Sequence, residues 1–217
     1  MRPSAAVALF TLTLYWASPG LAQGEEGSTP ASGAPVRVSL EVPAPTLRQD
    51  LESSEIDAPP GPECRSACSR MVLNLKMKLD ATFVTFSDAS TSYWVSGIEV
   101  SVGYRFLDVF IHPRYRPGTC EYGAALAHEE EHLRVDRAVV EEYADRMRAA
   151  LLSAGWPTYA NPLKPASLAE GRAHTRAQID ALIQPLLDEL QERRRQASES
   201  VDSSEHSQQI MKACYRR

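Results

Sequence analysis

Basic charge is in short supply in this chain. Its 217 residues carry 23 lysines and arginines against 28 aspartates and glutamates, a formal net charge of −5. No long basic block offsets that balance, which argues against sequence-independent nucleic-acid binding, because such binding depends on neutralising phosphates. Long apolar runs are missing too. The one candidate, residues 5–17, is too short to cross a hydrocarbon core of about 30 Å as a helix. Hydrophobic content of 43% and charged content of 24% lack the bias of collagen-like, fully disordered or multi-span chains. There is no glycine-rich phosphate loop and no nucleophile elbow, and neither serine nor cysteine chemistry has a convincing base partner.

What is present begins with a leader-like segment. Arg2 precedes the apolar stretch 5–17, and Ser18 to Ala22 (SPGLA) leaves small residues at −3 and −1 of a cut after Ala22. Residues 1–22 therefore read as a signal peptide and the chain as exported, periplasmic or secreted. Residues 23–62 hold seven of the fifteen prolines and only short apolar patches. They read as a linker that cannot bury enough apolar surface to offset its ordering entropy. Val36 to Val42 offers an edge strand as the alternative there. The working domain is then 63–217.

Four cysteines, Cys64, Cys68, Cys120 and Cys214, form an even set in an exported chain. They suggest two disulfides, with three connectivities open. A Cys120–Cys214 bridge would hold the tail beside the start of the first long helix.

Within the domain, Leu73, Leu75, Met77 and Leu79 alternate with Asn74, Lys76 and Lys78, the period of a strand with one buried face. Ala81 to Phe86 extends or pairs with it. Ile98 to Tyr104 and Phe106 to His112 add further strands. Short connections predict a small antiparallel sheet of three to four strands. From Glu121 the period changes to Leu126, Leu133, Val140 and Met147, a long amphipathic helix to about Ser153. A second helix runs from near Ser167 to about Ala197, with Pro185 expected to kink or split it. The expected class is α+β: the sheet, then a long antiparallel helical hairpin.

The first helix carries His128-Glu129-Glu130-Glu131-His132. Histidines four apart share a helix face, about 6 Å apart along the axis, so both rings can reach one ion. Glu129, beside the first ligand, can take a proton from water activated there without holding the metal itself. This is the HExxH arrangement of zinc metallopeptidases. Asp136, one turn after His132, is placed to orient that ring. Glu129 and Asp136 also border the apolar stripe, where a carboxylate is costly unless paired or near a metal.

A third ligand is needed. Asp136 is about 12 Å from His128 along the axis, too far to share an ion with both. Glu170 and His174, in a hairpin turning near residue 160, fall roughly 25 Å from the site. Asp188, Glu189 and Glu192 come level with it, followed by the tail. His206 is the chosen third ligand, with Asp188, Glu192 and Glu205 as alternatives. His112 reads as a rim residue. Tyr104, Tyr115 and Tyr122 are undistinguished candidates for an oxyanion donor.

The string Thr119-Cys120-Glu121-Tyr122 to His128-Glu129-Glu130-Glu131-His132, after a short sheet and before a long helix, resembles a family of predicted secreted bacterial zinc-dependent proteases. That family is known mainly as a domain of unknown function. The likeness covers most of residues 70–214. Many of its members end in an Asp-containing motif with a late histidine, and the family's usual Thr-x-His-Gly ending is matched here only loosely by Ser204-Glu205-His206-Ser207. The resemblance implies a metallopeptidase-like fold and zinc, and leaves the substrate open. The expectation is a zinc-dependent peptidase acting on a peptide or protein, with no membrane span. The rival is a noncatalytic envelope protein with a structural metal or none.

Overall fold

The computed structural model describes residues 11–15, 35–49, 67–203 and 214. Cys64, Glu205 and His206 lie outside them, as does most of the expected signal segment. Five strands form one sheet: β1 (Thr11–Tyr15), β2 (Val36–Glu41), β3 (Thr46–Arg48), β4 (Ala67–Thr85) and β5 (Thr91–Ile111). Two helices follow, α1 (Cys120–Ser153) and α2 (Leu168–Ser203). Among the described residues no helix is long and apolar enough to cross a membrane.

The sheet corrects the expected antiparallel arrangement. Its order is β1-β4-β5-β2, with β3 also on β5, and only the β4–β5 pairing is antiparallel. β1 joins β4 in parallel, and β2 and β3 both join β5 in parallel. The short-connection argument holds only for the turn at residues 86–90. β3 ends opposite Phe110 and β4 begins opposite Ile111, at the same end of β5, so direction alternates along the chain and strands two apart in sequence, β3 and β5, pair in parallel. The strands also differ in extent. Met71–Leu79 and Ala81–Phe86 belong to one strand, with register shifts at Val72/Leu73 and Asp80/Ala81. Bulges of this kind let a long hairpin bend over a helix without ending.

Two strands fall within the stretch 23–62 expected to be a linker. Val36–Glu41 pairs with Ile98–Gly103, so the edge-strand alternative describes those residues. The approach is close: a Cβ on Gly103 would lie 2.0 Å from the Glu41 carbonyl oxygen. Arg148 of α1 donates to the Val38 carbonyl at 2.8 Å and ties helix to edge.

The core lies between one sheet face and the helices. Leu73, Leu75 and Met77 of β4 and Ile98, Val100 and Val102 of β5 meet Val140, Tyr143, Met147 and Leu151 of α1 and Ile179, Ile183, Leu187 and Leu190 of α2. Thr119 caps α1, its side chain accepting from the Tyr122 amide. α2 is continuous through Pro185, neither split nor ended there.

The link between the helices is not a tight turn. Residues 154–167 run beside β5, where Leu163 and Tyr93 exchange backbone hydrogen bonds of 2.9 Å and the Val95 amide donates to the Pro157 carbonyl. Gly171 then brings α2 against the Tyr93 ring, where a Cβ would lie 2.6 Å from a ring carbon. This excursion moves the helix register. Arg146 meets Glu189, Asp136 meets Arg194 and His132 meets Asp202. A turn near residue 160 would instead have set the HExxH turn beside Asp188 to Glu192.

Candidate metal centre

Both helices carry an apolar stripe that turns polar at the same end. On α1 the buried series Leu151, Met147, Val140 continues as Asp136, His132 and Glu129. On α2 the series Ile179, Ile183, Leu187, Leu190 continues as Arg194 and Ser198. Buried polar side chains need partners: Asp136 finds Arg194 and His132 finds Ser198 across the helices, while Glu129 turns to Ser69 of β4.

His128, His132 and Asp202 bring three ligand atoms together, all within 4.8 Å of one another. His128 Nε2 and His132 Nε2 are 3.2 Å apart. Asp202 Oδ1 lies 3.0 Å from His132 Nε2 and 3.4 Å from His128 Nε2. Two donors at 2.0–2.1 Å on a tetrahedral ion sit about 3.3–3.4 Å apart, so these separations fit one metal. A further observation supports the fit. The second Asp202 oxygen, Oδ2, is buried and has no hydrogen-bond partner among the described residues. The group could therefore hold a metal ion.

The surroundings differ from the sequence reading. The second nitrogen of His132, Nδ1, faces Ser198 Oγ at 3.3 Å. With Nδ1–H given to that hydroxyl, Nε2 keeps its lone pair for a metal. Asp136, expected to orient His132, is instead engaged by Arg194. Its Oδ1 accepts from Arg194 Nε at 2.6 Å, and its Oδ2 accepts from Arg194 Nη2 at 3.2 Å and from the Tyr104 hydroxyl at 2.6 Å. Breaking one side of such a buried pair costs about 3–5 kcal/mol. Burial first, then the Asp136 charge, pushes the Tyr104 hydroxyl far up, so it serves as a donor to that carboxylate.

Glu129 is 4% exposed, and its Oε2 accepts from Ser69 Oγ of β4. Burial raises its pKa, against the opposing pull of Ser69 and the two histidines. Of the alternative ligands, Asp188 accepts from Gln184 and Glu192 from Arg195 and Gln196. Glu170 accepts from the Ala166 amide at the start of α2, and His112 accepts from the Arg114 amide in a turn. Tyr122 packs beside Val109 and Ile111, and the Tyr115 hydroxyl accepts from Arg114. Cys120 and Cys214 are joined, with Cα atoms 5.5 Å apart. Cys68 is half-buried on β4.

Asp202, Ser198, Arg194 and Ser69 belong to no local motif that singles them out in the sequence. Three of them follow the α2 stripe at intervals of four beyond Leu190, which an extended helical wheel would have shown. Ser69 carried no comparable signal.

The metal-free centre has a pH signature. Asp202 would be raised by burial, yet hydrogen bonds from His128 and His132 hold it far below its ordinary 3.8. That contribution is present above 3.8 and is lost as pH falls through the depressed value. His128 is raised above its ordinary 6.5, chiefly by Asp202. Its contribution is present below 6.5 and is lost as pH rises through the raised value. Ionising buried Glu129 acts in the same direction. The chelator-treated protein should therefore melt higher at pH 5.5 than at pH 8.5, by about 2–4 °C per kcal/mol of linkage. Asp202→Asn should flatten that difference in thermal scans; an unchanged slope would contradict it.

The described residues thus form a mixed sheet followed by two long helices, with a two-histidine, one-carboxylate group at one end of the helix pair. Comparison with protein-family models, with curated proteins and with solved structures gives no match in any of the three.

Proposed function

We propose that this chain is an exported, zinc-dependent hydrolase of peptide or other amide bonds, in line with its resemblance to the secreted zinc-dependent protease family. The observation that carries the reading is the convergence of His128, His132 and Asp202 beside a buried Glu129. Zinc bound there would supply Lewis acidity, making water nucleophilic near neutral pH and polarising a carbonyl. The chain's own groups do the rest. His128, His132 and Asp202 would hold the ion, and Ser198 fixes the ring of His132. Ser69 aims the Glu129 carboxylate, whose raised pKa suits it to accept a proton and return it to a leaving amine.

One observation favours a second reading, a noncatalytic envelope protein with a structural metal. Glu129 is already buried and occupied by Ser69. The two part on chelation. If the centre is catalytic, peptide hydrolysis by the full chain stops with chelator and returns with one equivalent of zinc while the fold persists. Unfolding on chelation, with no hydrolysis before it, would favour the structural metal.

A further inference from the structure

One turn below His132 the helices share a polar cluster that the hydrolytic reading does not use. Tyr104, Asp136 and Arg194 are all buried, and the Asp136–Arg194 contact is a fork of two hydrogen bonds. A fork fixes rotation as well as distance, which a single contact or an apolar one does not. Its position matters. Four and eight residues before Asp136 on α1 stand His132 and His128. Four and eight residues after Arg194 on α2 stand Ser198 and Asp202. Locking the helices at the Asp136–Arg194 level therefore sets the phase of both for the next two turns.

Apolar packing does not do this work there. After Leu190, Val201 is the one buried apolar residue of α2 among those described. Arg194 also lines, with His132 and Ser198, a cavity of about 30 Å³. Its Nη1 is buried and has no partner among the described residues. A pair kept for stability alone gains little over well-packed apolar residues of similar volume. Metal sites, in contrast, need their ligands held to within about 0.5 Å.

We propose that the Tyr104–Asp136–Arg194 cluster is the positioning device of the metal centre, setting α2 against α1 so that Ser198 and Asp202 meet His132 and His128. This rests on the metal-binding reading of that centre. The test separates stability from metal affinity in the full chain. In one variant, Tyr104→Phe, Asp136→Leu and Arg194→Met together replace the cluster with apolar side chains and leave no orphaned charge. In another, Arg194→Lys keeps the cation and loses the fork.

The triple variant should melt within about 4 °C of the metal-free wild type. Both variants should bind zinc about 10–100-fold more weakly, measured by competition with a chelating dye. If the triple variant does not fold, Arg194→Lys decides. Zinc affinity equal to wild type in the folded variants would overturn the inference and leave the metal centre standing. An affinity loss that merely tracks the fall in Tm would overturn it as well, making the cluster a plain structural pair. Failure of the wild type to bind zinc would remove both.

Discussion

Glu129→Gln should lower peptide hydrolysis by about 10²–10⁴-fold, the range ascribed to a positioned general acid–base group, and leave bound metal unchanged. The substitution is nearly isosteric, and the amide oxygen can still accept from Ser69 Oγ, which reaches the carboxylate in the wild type. Burial already disfavours the Glu129 charge, so a neutral replacement should not destabilise the fold. Loss of turnover with intact metal and intact Tm would isolate proton transfer as the role of this residue. Turnover near wild type would sink the mechanism, and Glu129 would then be a buried residue tied to β4.

Asp202→Ala should weaken zinc binding by more than the roughly 10–100-fold that an outer partner contributes. Asp202 Oδ1 lies 3.0 Å and 3.4 Å from the two histidine nitrogens, the spacing of a ligand sharing their ion. The sequence alone favours His206 instead, four residues further on. Comparing Asp202→Ala with His206→Ala by dye competition decides between them. A large loss for Asp202→Ala alone supports the centre described here. A large loss for His206→Ala with little for Asp202→Ala would move the third ligand into the tail.

The contrast between those two residues shows what the sequence carried. His128, Glu129 and His132 were legible because helical periodicity sets their spacing locally and needs no knowledge of neighbours. Asp202 was not, because it depends on the register between two helices. That register is decided by residues 154–167, whose course beside Tyr93 and Val95 has no periodic signature. Pro185 pointed to a kink or a split, and α2 is not split there. The stripe of Ile183, Leu187 and Leu190 packed on α1 holds the helix on both sides of the proline.

The sheet repeats the lesson. Alternation at Leu73, Leu75, Met77 and Leu79 marked the buried face, which needs only a period of two. Pairing sense needs the partner as well. β2 reaches β5 in parallel from a stretch rich in proline, where composition favoured a linker. Asp136, an acidic residue at the edge of the apolar stripe, is buried and pairs with Arg194 rather than with His132. Its partner Arg194 is the middle residue of Arg193-Arg194-Arg195, and the packing of α2 turns it inward while its two neighbours stay exposed.

The most direct measurement is the metal content of the purified protein by elemental analysis, beside His132→Ala. The account predicts about one zinc per chain in the wild type and a loss of that zinc in the variant, with the fold retained. No metal in either protein, even after incubation with zinc, would contradict it and leave the HExxH string as a charged face of α1.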